Sequence, residues 1–145
     1  NPYQKEVIER FYELYREDVQ TIDRWFSVQS ISPGISVAGI RELMSHKLFT
    51  MKNPNRVRSL LGAFAQNHIQ FHCQEGYQLM TEVIIELDAL NPQIAARFAS
   101  VFNHWRRFTS HYSKLQEAEL KAISEVDNLS NNVYEIVHIA LEGKI

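Results

Sequence analysis

The chain has 145 residues, 45% of them hydrophobic and 22% charged, which is ordinary for a globular domain and excludes a disordered segment. A domain of this size buries about two-thirds of its unfolded surface without help from metals or disulfides. A net charge of −2 and a pI of 6.3 argue against general affinity for nucleic acid.

The opening Asn-Pro-Tyr-Gln-Lys-Glu has no initiator Met and no cationic segment followed by an apolar one, so it reads as an internal point of a longer protein. No apolar run approaches the roughly 20 residues that span a bilayer. Apolar residues recur at i, i+3, i+4 and i+7, which predicts helices over about 3–16, 18–29 and 36–46, with Ser32-Pro33-Gly34 breaking the second from the third.

The fourth predicted helix, 53–64, opens Asn53-Pro54 and closes on Phe64; the sixth, 91–102, opens Asn91-Pro92 and closes on Phe102. Each Asn is a natural N-cap, and proline suits the first helical position because its missing N–H has no partner there anyway. Between them lies a predicted helix over 75–89; helices over 110–126 and 131–142 follow, parted by Asp127-Asn128 and Ser130.

Pro54 and Pro92 lie 38 positions apart, and the same step aligns further columns. Val19, Val57, Ala95 and Val133 form one, Ile22, Leu60, Phe98 and Ile136 a second, and Phe26, Phe64, Phe102 and Ala140 a third. A fixed period of this length with helix punctuation marks stacked helix pairs. The expected class is therefore all-α, a superhelix or solenoid of helix pairs like those of HEAT and ARM repeats, with about eight helices in a single domain over 1–145.

Few residues recommend themselves for chemistry. His68, His72 and Cys73 form the tightest set of possible metal ligands, but they fall in an expected loop and lack a fourth ligand, so polar loop histidines and a small buried cysteine are the plainer reading. His104 and His111 flank Trp105-Arg106-Arg107-Phe108, a basic and aromatic cluster whose simpler role is to meet the negative end of a helix dipole. None of the six histidines is followed by Glu, so H-E-x-x-H is absent, as are a Gly-rich phosphate loop and G-x-S-x-G. Arg56 and Arg58 sit roughly 90–110° either side of their helix's apolar stripe, while Gln93 and Arg97 lie nearly opposite theirs. Such residues either face solvent or line a concave surface and receive an anionic group.

Several segments carry a specific resemblance. Leu48-Phe-Thr-Met-Lys-Asn-Pro-Asn-Arg-Val-Arg-Ser-Leu-Leu-Gly-Ala-Phe64, Gly76-Tyr77, Glu86-Leu-Asp-Ala-Leu-Asn-Pro-Gln-Ile-Ala-Ala-Arg97, and Leu129-Ser130 with Tyr134-Glu135 closely resemble the C-terminal domain of bacterial aminopeptidase N. Asp23-Arg-Trp-Phe26 is similar to that family's Asp-Lys-Trp-Phe, and the likeness runs from about residue 10 to the end. The resemblance implies a zinc metallopeptidase that removes N-terminal residues from peptides. Its H-E-x-x-H, third Glu ligand and amine-recognition motif would lie in an upstream catalytic domain. No catalytic residue, metal ligand or cofactor is then expected in this chain.

The helical domain would cap that catalytic domain, close its cavity and restrict entry to short or unfolded peptides. By motif position Arg58 and Arg97, with Gln93 beside the latter, would face the peptide substrate. The parent would be cytoplasmic, in keeping with the single cysteine, Cys73, which excludes an intrachain disulfide. No nucleic acid or membrane partner is expected. The alternative from a different class is a free-standing helical-repeat module that binds partner proteins; it differs in having no H-E-x-x-H upstream.

Overall fold

The computed structural model describes residues 2–15 and 18–143. They form α1 (Pro2–Tyr15), α2 (Val19–Ser30), α3 (Val37–Met44), α4 (Pro54–Val57), a π turn over Arg58–Gly62, and α5 (Ala63–Ala65). After a loop come α6 (Gln74–Leu90), α7 (Pro92–Ala99), 3-10 turns at Ser100–Phe102 and Trp105–Arg107, α8 (Ser110–Ser124) and α9 (Asn131–Glu142). Because α4, the π turn and α5 run on without a break, the described residues hold eight helical segments and no strand. The all-α expectation is met, and most boundaries agree within two residues. Residue 16, placed at the end of the first predicted helix, lies outside the described residues.

Side chains from just outside each helix explain most of the starts. Asp18, Ser36, Asn53, Asn91 and Ser130 each accept a hydrogen bond from a first-turn N–H, at 2.9–3.3 Å. Pro54 and Pro92 stand at the first helical position, as expected. Asn128, in the turn before α9, takes a left-handed conformation (φ 62°), which asparagine tolerates better than most residues.

The two Asn-Pro helices share their starts but differ in form further along. In the first, the Ser27 hydroxyl of α2 donates to the Ser59 carbonyl at 2.8 Å. An outside donor on that carbonyl competes with the i→i−4 ladder, and nearby the Ala63 N–H reaches back to the Arg58 carbonyl. In the second, α7 stops at Ala99 and tightens into a 3-10 turn ending on Phe102.

The chain divides into two compact units, 1–67 and 68–145. In the first, α2 packs against α1 and against the helical segment that begins at Pro54, with α3 touching its π turn. In the second, α6 lies between α7 and α8, and α9 packs on both α7 and α8.

Most positions of the repeat columns lie in the core. Phe26, Phe64 and Phe102 are fully buried and Ala140 nearly so; Val57, Ala95 and Val133 are fully buried. Val19 departs from its column, since it is 59% exposed. It is the first residue of α2, directly after the Asp18 cap, and the helix first enters the core one turn later at Ile22. Ile22, Leu60 and Phe98 are buried, while Ile136 is only half-buried.

Candidate functional site

Arg56 and Arg58 are two residues apart and look equivalent in sequence, yet the fold separates them. Arg56 is buried, and its solvent-facing reading is therefore corrected. Its guanidinium pairs with Asp23 of α2, donates to the Leu48 carbonyl, and lies 5.7 Å from the centre of the Phe26 ring. Two segments that carry the aminopeptidase resemblance, Asp23–Phe26 and Leu48–Phe64, thus meet at one side chain, and there they hold the fold together. Arg58 points the other way. It is exposed and donates to the Asn55 side chain at 3.2 Å, a bond easily exchanged for water.

Gln93 and Arg97 lie one turn apart on α7, both exposed, while Ile94, Ala95, Phe98 and Ala99 bury the opposite face. Neither side chain bonds another described residue. Together they could bind a carboxylate or a peptide carbonyl. Arg58 belongs to the other compact unit.

The structure ties half-buried His72 and Cys73 into local packing, while His68 stays exposed. The rings of His68 and His72 stack nearly parallel (4°) with centroids 6.0 Å apart. His72 Nδ1 lies 2.8 Å from the Tyr77 hydroxyl, which also accepts from the buried Gln116 amide at 3.3 Å. Burial, reinforced by His68, lowers the His72 pKa, and burial pushes the Tyr77 phenol up to about 12. Cys73, expected to be buried, is half-buried at the start of α6, where its sulfur accepts from the Gly76 N–H at 3.3 Å. Among the described residues no group of three or more His, Cys, Asp or Glu is arranged to hold a metal ion.

The Trp105-Arg106 pair also meets a helix end, though not its own. Arg106 donates to the Ala140 and Leu141 carbonyls at 2.8 and 2.6 Å, and the Trp105 indole N–H joins it on Ala140 at 3.0 Å. The guanidinium stacks 4.1 Å from the Trp105 ring. A cation thereby sits at the negative end of α9, whose last turn closes on Gly143 in a left-handed conformation (φ 75°). Sequence spacing gave no sign of this link across 34 residues or of the Asp23–Arg56 pair, because both are tertiary contacts.

The fold is an all-α domain of helix pairs with an exposed polar face on α7. Residues 1–142 match the family described as "Domain of unknown function (DUF3458_C) ARM repeats", and the chain belongs to that family. It is 33% identical to aminopeptidase N of Escherichia coli over 144 residues, covering 97% of this chain and 17% of that protein. To aminopeptidase N of Haemophilus influenzae it is 36% identical over 136 residues, covering 91% and 16%. It also aligns with the crystal structure of Legionella pneumophila aminopeptidase A in complex with aspartic acid, at 31% identity and a TM-score of 0.91. That alignment covers 100% of this chain and 17% of the other. The chain thus spans about a sixth of the length of these relatives. They support the resemblance to the C-terminal domain of aminopeptidase N. No helix of the described residues is long and apolar enough to cross a membrane.

Proposed function

We propose that this chain is the C-terminal helical domain of a zinc-dependent aminopeptidase that removes N-terminal residues from peptides in the cytoplasm. The observation that carries the reading is the near-complete match of this chain, 97% of its length, to a sixth of an aminopeptidase N. In the parent enzyme the zinc would sit in the upstream catalytic domain and activate water for attack on the peptide bond. This domain caps that catalytic domain and closes its substrate cavity, without chemistry of its own.

Arg58, Gln93 and Arg97 are the residues proposed to face the peptide. What supports them is exposure together with few or no internal partners. A guanidinium contributes little while it is in water. Under a second domain, where the local dielectric falls, the same group binds peptide carbonyls or a terminal carboxylate more strongly. The isolated 145-residue chain, highly purified and supplied with zinc, is expected to show no turnover of an aminoacyl arylamide above background. Turnover that co-elutes with the chain and disappears with a chelator would overturn the proposal.

A further inference from the structure

The first compact unit contains a cleft of about 740 Å³ between α1, α2 and the loop and helix that follow, within the size range of small-molecule sites. Half-buried Ile8, Ile35 and Leu43 give it apolar walls. Trp25 closes the base, and because its indole N–H is used by the Ile8 carbonyl at 2.9 Å, it offers the cleft only apolar surface. Three charged side chains stand exposed at the rim, Lys5 and Glu9 on α1 and Glu42 on α3. None of the three forms a side-chain ion pair or hydrogen bond with another described residue. The rim is therefore net anionic around an apolar interior, with the His46 ring, whose pKa is lowered by burial and by the neighbouring Lys47 and Arg56 charges, on its border.

We propose that this cleft binds a small amphipathic cation, an aryl- or alkylammonium whose apolar body lies against Ile8, Ile35 and Leu43 and whose ammonium is held by Glu9 and Glu42. Shape alone would accept a neutral molecule equally well. The two carboxylates against one lysine select the sign of the head group. Gly34 offers a way to close the cleft without disturbing the fold. A Cβ there meets nothing nearer than the Ser32 hydroxyl at 3.9 Å, and the residue does not need a left-handed conformation.

The chain has two tryptophans, so its two indole N–H resonances report separately on the cleft (Trp25) and on the second unit (Trp105). Phenethylammonium titrated into the ¹⁵N-labelled chain should move the Trp25 signal saturably and leave Trp105 in place. 2-Phenylethanol should bind several-fold more weakly, and phenylacetate more weakly still. Glu9→Gln with Glu42→Gln should weaken phenethylammonium about five-fold, the scale of two exposed ion pairs, and leave 2-phenylethanol unchanged. Gly34→Phe should abolish both while preserving the rest of the spectrum. No saturable shift at Trp25, equal binding of all three probes, or indifference to the double Gln variant would overturn the proposal.

Discussion

Replacing Arg56 with methionine keeps most of the buried stem and removes the charge, so it isolates what the guanidinium does. Two polar interactions are lost. The hydrogen bond to the Leu48 carbonyl, made by a charged donor, contributes about 1.5–3 kcal/mol. Asp23, whose side chain is 16% exposed, loses its cation and is left largely desolvated. Breaking a buried pair from one side costs about 3–5 kcal/mol, and the residual exposure of Asp23 points to the lower end. The two figures overlap, because both describe the same charge, so the expected loss is about 3 kcal/mol and is not their sum. It should appear in the unit containing residues 1–67. Urea titration followed at the separate Trp25 and Trp105 indole resonances would show the Trp25 midpoint falling well before that of Trp105. A double-mutant cycle with Asp23→Asn should give a coupling of at least about 1 kcal/mol. A total loss below about 1 kcal/mol, or no coupling, would refute the claim that Arg56 ties α2 to the loop before α4.

Phe64→Ala removes a fully buried ring and should cost about 3–5 kcal/mol in the same urea assay. Gly76→Ala should destabilise the second unit by about 2 kcal/mol or more, since the new Cβ would stand 2.1 Å from the Phe71 carbonyl oxygen and the backbone would have to move; a neutral result at Trp105 would contradict that contact. The His72–Tyr77 pair predicts a stability plateau for the second unit. The folded-state pKa of His72 lies below its unfolded value near 6.5, so its contribution is present above that pH and lost as pH falls through the folded value. Tyr77 is raised to about 12, so its contribution is full below pH 10 and lost as pH rises toward 12. Trp105 urea midpoints should fall on both sides of the plateau, and His72→Gln should flatten the acid side; an acid limb unchanged by that substitution would assign it elsewhere.

Features encoded locally are legible in this sequence, and features encoded by distant partners are not. The Asn-Pro starts of α4 and α7 are visible because cap and proline are adjacent, and the aromatic column at 26, 64 and 102 is visible because the repeat preserves its spacing. Arg56 and Arg58 cannot be told apart, since each flanks the apolar stripe and only Asp23, 33 residues earlier, draws one inward. The π turn has no local signature either, because the hydroxyl beside it comes from Ser27 on α2. Cys73 is not a residue type expected to cap a helix, which hid its role at α6. The segments behind the family resemblance include the Asp23–Arg56 pair and the bonds from Ser130 to Asp88, which join α9 to α6. They therefore locate the fold more firmly than the residues proposed to face a ligand. Gln93 and Arg97 were legible as an exposed pair from helical spacing alone, but nothing in that spacing names what they bind.

The most direct test of the peptide-facing role is steady-state kinetics of Arg97→Ala in the complete enzyme, with a dipeptide compared against a longer peptide. If the domain supplies binding and no chemistry, KM for the longer peptide rises several-fold and kcat stays near the wild-type value. A large fall in kcat with KM unchanged would contradict it.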